Sequence, residues 1–265
     1  MRLPIADGFY PSNPDELRNA TNVYLKSEKR VNALGAIVPH AGYVFSGSVA
    51  GETFKSAKTD KKTFVLFGPN HTGYGPTIAI SSDDWKTPLG VVKTDKELVK
   101  KLKLEIAEIA HRYEHSLEVQ LPFLQTLYKD FSIAAIAMQQ LQFDKLEEIA
   151  KSFPKDAFYV ASSDFTHFGP NYGYEPIGGS VEKQLDWVKK TDSKLIDLIC
   201  KLDAKRFYSS VTENDYTVCG FVPITLLILI AKRLGAKSVR LVSYKTSYEV
   251  MRNSSFVSYA GIVFE

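Results

Sequence analysis

Residues 34–47 read LGAIVPHAGYVFSG, and this stretch decides the fold class that the sequence predicts. Its first half is apolar at successive positions, which is typical of a short strand buried on both faces. Its second half contains two glycines and leads into a predicted helix at 46–57. The same strand pattern recurs in TFVLF at 63–67, SIAAIAM at 132–138 and FYVAS at 158–162. Strands buried on both faces need helices on both sides of their sheet.

Strand and helix patterns alternate along the rest of the chain. The predicted strands are 33–39, 63–68, 77–81, 132–138, 157–162, 238–244 and 257–264, with 77–81 and 89–92 as edge or hairpin pieces. The predicted helices are 14–29, 46–57, 95–105, 121–128, 143–151, 181–202, 204–211 and 221–234. This alternation predicts an α/β fold, a single domain over 1–265 whose central sheet is mostly parallel.

Composition and charge exclude several classes of protein. The 265 residues carry a net charge of +3, and the lysines are scattered, so no nucleic-acid partner is expected. The most apolar run, residues 221–231, contains Pro223 and is shorter than the roughly 20 residues of a membrane span. Two cysteines and the absence of an apolar secretory segment at the start predict a cytoplasmic protein that makes no membrane contact.

Three of the five histidines follow buried strands. His40 ends LGAIVPH, His71 ends TFVLFGPNH and His167 follows VASSDFT, and a glycine comes shortly after each. Ligands of open α/β sheets bind in the crevice beyond the carboxyl ends of the strands. One histidine there is more often structural, but three at one edge predict a metal or catalytic site.

Asp164 and Cys219 are further candidates for that site. If residues 164–167 turn helically, Asp164 and His167 share a face, and the carboxylate can orient the ring or share a metal. The alternative is that Asp164 caps a helix. Cys219 comes just before the helix predicted at 221–234, where a thiol has a lowered pKa and serves as a nucleophile or soft metal ligand. Buried free cysteines are also common, and Cys200 is interpreted as one of them.

The segment EHSLEVQLPFL at 114–124 leaves two interpretations open. Residues 114–116 either cap the helix that begins near Pro122, or His115 lies at the wall of a pocket. His111 has no supporting context and is predicted to lie on the surface.

Five motifs together resemble the Memo family, named for a mediator of ErbB-driven cell motility. They are PHAGYVFSG at 39–47, GPNHTGYG at 68–75, EHSLEVQLPFL at 114–124, SSDFTHFG at 162–169 and VCG at 218–220. The resemblance covers the whole chain and implies a fold similar to class III non-haem iron extradiol dioxygenases. It also implies metal ligands at His40, His71 and Cys219.

The same resemblance implies that Asp164 and His167 lie beside the metal as orienting or acid/base groups, and that His115 lines the pocket. Class III dioxygenases use two histidines and a carboxylate, whereas here Cys219 takes the third position. A thiolate shifts the preference toward softer metals, such as copper(I) or zinc, and changes the redox potential of iron. The family is linked to iron and copper, so the resemblance implies iron(II) or copper, and zinc would also fit.

These residues are compatible with three functions. The first is a mononuclear iron or copper redox enzyme that acts on a small molecule, with His167 as acid/base and Asp164 orienting it. The second is a binding or scaffold protein whose cleft takes a peptide, since eukaryotic relatives are associated with receptor signalling. A weaker third is a zinc hydrolase that uses His40, His71 and Asp164.

Overall fold

The apolar runs form one central sheet in the computed structural model, which describes residues 1–27 and 29–265. The strands are β1 Val31–Asn32, β2 Gly35–Val38, β3 Ala57–Lys58, β4 Thr63–Pro69, β5 Ile78–Ile80, β6 Trp85–Thr87, β7 Gly90–Thr94, β8 Ser132–Met138, β9 Phe158–Ser162, β10 His167–Phe168, β11 Val239–Thr246 and β12 Phe256–Phe264. The prediction located the main strands to within a few residues.

Helices occupy the segments between these strands. They are α1 Pro14–Tyr24, α2 Tyr43–Ser56, α3 Lys96–Leu102, α4 Ile109–Arg112, α5 Leu121–Leu127, α6 Phe143–Ala150, α7 Val181–Cys200, α8 Ala204–Glu213 and α9 Phe221–Leu234. The apolar run at 221–231 lies in α9, which is largely buried. Within the described ranges, no helix is both long and apolar enough to cross a membrane.

The central sheet is mixed but mostly parallel, in the order β10-β12-β2-β9-β4-β8-β7-β6. From β2 to β7 each neighbouring pair is parallel. The antiparallel pairs are those of β12 with β2, β10 and β11, of β6 with β7, and of the short strand β5 with β8. β2, β9 and β4 therefore end at the same edge of the sheet, and this edge carries His40 and His71.

Both faces of the sheet are covered, as the apolar runs predicted. Along β4, Val65 and Phe67 pack into one buried cluster, which also holds residues of α6, α7, α8 and α9. Phe64 and Leu66 pack into a second cluster with residues of α1, α2 and α5. The alternation follows from strand geometry, since successive side chains point to opposite faces. The α/β architecture is thus confirmed, whereas its likeness to extradiol dioxygenases stays a prediction.

Helix ends are where the sequence prediction departs from the structure. The helix predicted at 14–29 ends at Tyr24, where Leu25 leaves the helical conformation with φ −74° and ψ 64°. Residue 28 of that prediction lies outside the described residues. The helix predicted at 95–105 ends at Leu102, since Lys103 adopts a left-handed conformation with φ 53°. Its N-terminal cap is Asp95, whose side chain accepts the N–H of Leu98.

His111 is not on the surface, and that prediction was wrong. Its side chain is fully buried and packs edge-on against Trp85, with ring centroids 5.7 Å apart. Burial lowers the pKa of His111 to about 4, so the ring is neutral near pH 7. A short helix, α4, which the sequence pattern did not indicate, carries the residue inward.

Candidate metal centre

Three side chains from distant parts of the chain converge at the edge of the sheet. His40 follows β2, His71 follows β4, and Cys219 lies directly before α9. One ligand atom from each of them lies within 4.8 Å of the other two, so this group can hold a metal ion. Cys219 Sγ is 3.3 Å from His40 Nε2, and the two imidazole rings meet edge to face with centroids 5.2 Å apart.

A glycine allows Cys219 to reach this position. A Cβ on Gly220 would lie 2.4 Å from the Cβ of Ser163, which is closer than real Cβ contacts. Without a side chain at Gly220, the start of α9 packs directly on the segment after β9. Cys219 Sγ consequently lies 3.7 Å from the backbone oxygen of Asp164.

The hydrogen bonds of His40 fix which ring nitrogen carries its proton. His40 Nδ1 is 3.0 Å from the hydroxyl oxygen of Ser162. Ser162 donates its own hydrogen to the backbone oxygen of Ser116 at 2.7 Å, and it accepts a second bond from Gln120 Nε2 at 2.9 Å. Ser162 must therefore accept from His40 Nδ1–H, because its one hydrogen is already donated. This leaves Nε2 of His40 directed at Cys219.

His71 is held in the same way by a carboxylate. Its Nδ1 is 3.1 Å from Glu114 Oε1, and its backbone N–H donates to Glu114 Oε2 at 2.6 Å. Glu114 is fully buried and also accepts the N–H of Ser116 at 2.8 Å. A carboxylate on the far nitrogen of a ligating histidine fixes the tautomer and ring orientation in many metal sites.

The charges of the group are set by burial and by these partners. Burial opposes the charged form of Cys219, but the charge and hydrogen bonds of His40 and His71 outweigh it and lower the thiol pKa to about 5. Burial also opposes a charge on His71, yet its hydrogen bonds to Cys219 and Glu114 raise its pKa to about 10. Similarly, the pKa of His40 is raised despite burial, because of Cys219 and Asp164. In the absence of a metal ion, the imidazoles of this group therefore bind protons beside the thiolate, at the position that would attract a metal cation.

A second group of potential ligands, His71, Glu114 and His115, overlaps the first. The rings of His71 and His115 stack with planes 13° apart and centroids 5.0 Å apart. Lone pairs lie in the ring planes, so those of two nearly parallel stacked rings do not converge on one ion. The contact of Glu114 with His71 is a direct hydrogen bond. This second group therefore orients His71 and is not a separate metal site.

His115 lies at the wall of the cleft and does not cap a helix. α5 begins after a short 3₁₀ turn, and its N-terminus has no capping side chain. The ring of His115 packs against that of Phe9, tilted by 33° with centroids 4.2 Å apart. Burial lowers the pKa of His115 to about 4, which keeps this ring neutral.

Asp164 and His167 lie at the same cleft, but not on a helical turn. The segment between β9 and β10 has no helix, and Asp164 caps none. Instead, Asp164 Oδ1 accepts the backbone N–H of His40 at 2.8 Å, and Oδ2 is 3.9 Å from His40 Nε2. Asp164 therefore orients the loop of His40. The Nδ1 of His167 faces two backbone oxygens, those of Phe165 at 3.0 Å and Thr217 at 2.9 Å.

These contacts determine the tautomer of His167. Both partners of Nδ1 are carbonyl oxygens, which can only accept, so Nδ1 carries the hydrogen. Nε2 then has a free lone pair. His167 lines the cleft, where its ring lies nearly perpendicular to that of Tyr172, so a molecule in the cleft can approach the ring while it is neutral.

Two cavities meet at the group formed by His40, His71 and Cys219. The cleft, of about 390 Å³, is bordered by His40, His71, His115, Asp164 and His167, and by the aromatic rings of Phe9, Phe45, Tyr172 and Tyr259. A second cavity, of about 440 Å³, lies on the other side and includes Cys219, His71, Met138 and Phe221 in its lining. His71 borders both cavities, and the thiol is reached from the second one.

Sequence reasoning missed the residues that hold the ligands in place. Glu114 was considered only as a cap, and Ser162 and Gln120 not at all, although all three lie within the quoted motifs. Phe9 gave no signal, because its role depends on how the N-terminal segment folds back. That segment is anchored by Glu118, which accepts hydrogen bonds from the side chains of Arg2 and Tyr10.

Comparison with known proteins is consistent with these motifs. A family model described as Memo-like protein matches residues 2–263. A MEMO1 family protein of Methanococcoides burtonii is 41% identical over 281 residues, covering 99% of each chain. A MEMO1 family protein of Archaeoglobus fulgidus is 39% identical over 275 residues, covering 100% of this chain and 99% of its own. A solved structure of the uncharacterized protein JW3007 from Escherichia coli K12 aligns over 76% of this chain and 86% of that one, with TM-score 0.41 and 10% identity.

Proposed function

This chain belongs to the Memo-like protein family, and we propose that it is a metal-dependent redox enzyme that acts on a small molecule in the cleft. The observation that carries the proposal is the convergence of His40, His71 and Cys219. Both imidazoles have a hydrogen on Nδ1, so once Nε2 of each ring is deprotonated two Nε2 lone pairs lie beside the thiolate. Such a set attracts a cation.

The distances support a metal of ordinary size. Bonds of about 2.0–2.3 Å in a tetrahedral site place neighbouring ligand atoms roughly 3.3–3.8 Å apart. The separation of 3.3 Å between Cys219 Sγ and His40 Nε2 falls in this range. A site with one thiolate and two imidazoles suits iron(II) or copper, and zinc also fits. Iron or copper held there would supply one-electron chemistry next to the cleft.

The chain's own residues provide the remaining chemistry. His167 Nε2 is free to accept a proton from a molecule in the cleft and to return it later. Asp164 holds His40 by accepting the backbone N–H of His40. Glu114 holds His71 by contacts with both its backbone N–H and its ring Nδ1. The neutral ring of His115 and the ring of Phe9 pack together along one wall of the cleft.

The lining of the cleft does not favour a phosphopeptide or another anion as ligand. None of the described residues that border it is a lysine or an arginine. Phosphate recognition in proteins generally uses arginine clusters or backbone amide cradles. A peptide-binding role would therefore depend on other chemistry, and the small-molecule function is the one that we propose.

Metal analysis of the protein purified anaerobically with a reductant tests the proposal. We expect about one equivalent of iron or copper in the parent protein and almost none in Cys219→Ser. Cys200→Ser is the matched control, since Cys200 lies on α7, outside the site, and should leave the metal content unchanged. Equal metal content in all three proteins would refute the proposed site. Zinc alone, with no bound iron or copper after anaerobic reconstitution, would favour a hydrolase.

A further inference from the structure

A fully buried carboxylate outside the cleft anchors the segment that leads to His167. Asp192 lies on α7 and has no exposed surface. Its two oxygens accept hydrogen bonds from three hydroxyls, those of Thr166 at 2.6 Å, Tyr244 at 2.6 Å and Ser258 at 2.5 Å. No basic side chain is among these partners. A buried carboxylate without a cation is costly unless hydrogen bonds satisfy it, as three donors do here.

Thr166 connects this carboxylate to the cleft. It precedes His167 in a segment without regular structure, so side-chain and cross-strand bonds must hold it. The backbone N–H of Ser258 donates to the oxygen of Thr166 at 3.0 Å, and that of Phe165 donates to the oxygen of Ser258 at 2.8 Å. The side chain of Thr166 adds the bond to Asp192.

The position of this segment determines which nitrogen of the His167 ring carries the hydrogen. One of the two carbonyls that accept from Nδ1 belongs to Phe165, directly before Thr166. The other belongs to Thr217, whose side chain also accepts the backbone N–H of His167 at 3.0 Å. Because His167 directly follows Thr166, a shift of Thr166 moves the ring away from the Thr217 carbonyl, which lies on a separate segment, and changes its contact with the Phe165 carbonyl. With Nδ1 no longer facing these acceptors, either ring nitrogen can carry the hydrogen.

We propose that Asp192 is a positioning residue for His167. By holding Thr166 it keeps the ring of His167 against the carbonyls of Phe165 and Thr217, so that in the neutral ring Nδ1 carries the hydrogen and Nε2 does not. The catalytic meaning of the arrangement rests on the proposed function, in which His167 moves a proton. The arrangement itself can be measured without any turnover.

The test is nitrogen-15 NMR of the histidine rings in the metal-free protein at about pH 8, where an ordinary histidine is neutral. In the parent protein we expect two well-separated signals for His167, one from a protonated Nδ1 and one from a bare Nε2. Thr166→Val replaces the hydroxyl with a methyl group of similar size and should bring the two signals toward a common average. Thr166→Ser restores a hydroxyl and should restore the separation. Asp192→Asn should resemble Thr166→Val, because an amide cannot accept from all three hydroxyls.

Tyr244→Phe is the matched control. It removes a different hydroxyl from the same carboxylate, on β11, and leaves Thr166 in place. We expect it to lower thermal stability but to leave the His167 signals unchanged. The inference is overturned if Thr166→Val leaves the signals separated, or if Tyr244→Phe averages them equally, since Asp192 would then be only a structural anchor. If Asp192→Asn does not fold, the two Thr166 variants and Tyr244→Phe still show whether the bond between Thr166 and Asp192 positions His167. Failure of the metal analysis with a positive NMR result would refute the proposed function alone.

Discussion

Metal binding to this protein should release protons, and its affinity should therefore rise with pH. In the metal-free protein the pKa of Cys219 is lowered to about 5, so the thiolate is already present at pH 7. The pKa of His71 is raised to about 10, so its ring is protonated at that pH and must lose the proton before Nε2 can bind a metal. The pH dependence between pH 6.5 and 9 thus comes from the imidazoles and not from the thiol.

The size of this effect follows from the pKa of His71. A pKa of about 10 at pH 7 implies an affinity up to about 1000-fold below that of the deprotonated site, since each pH unit is tenfold. The side chain of His71 is 36% exposed, so water screens the charges that raise its pKa. We therefore expect a net gain of about 10- to 100-fold between pH 6.5 and 9. The raised pKa of His40 also makes the metal affinity rise with pH.

The assay is zinc affinity by competition with a chelator across this pH range, which avoids oxidation. Calorimetry in two buffers of different ionisation enthalpy counts the protons released at pH 7. Cys219 and Glu114 together raise the pKa of His71, and Glu114→Gln removes the second of these groups, so it should make the pH dependence shallower. An affinity that does not change between pH 6.5 and 9, with no proton release, would refute the reasoning.

Other predictions concern the thiol, the acid/base group and the buried ion pair. A mild alkylating reagent at neutral pH should label Cys219 well before Cys200, because burial raises the pKa of Cys200, and zinc should protect only Cys219. His167→Ala should keep metal affinity to within about 10- to 100-fold, measured by the same chelator competition, and complete loss of metal would show that it is a ligand. Glu118→Gln leaves the buried Arg2 without its charge partner and should cost about 3–5 kcal/mol in urea unfolding, whereas a loss below about 1 kcal/mol would contradict this.

The sequence alone predicted the sheet well, for a physical reason. Runs such as TFVLF can only be satisfied between two helical layers, so they indicate strand and burial together. It also placed His40 and His71 beyond strand ends, and parallel strands brought them to one edge. Helix ends were less accurate, since they depend on single residues such as Lys103, whose left-handed conformation no pattern indicates.

The roles of the site residues required the tertiary structure. Whether His115 caps a helix or borders the cleft was open in the sequence, and the fold decided for the cleft. His111 looked like a surface residue, because nothing near it in sequence shows that it packs on Trp85. Asp164 was expected to orient His167, but its carboxylate bonds the backbone of His40, 124 positions away.

What the sequence by itself determined is the set of chemical groups and the edge of the sheet where they gather. Periodicity and strand ends are local properties, and residues a few positions apart encode them. The tertiary structure decided which nitrogen of each histidine carries its hydrogen, because Ser162 and Glu114 come from segments 122 and 43 positions away from their partners. Hydrogen bonds of this kind depend on distances of a few ångströms between separate elements, and only the packing of the whole chain sets those distances.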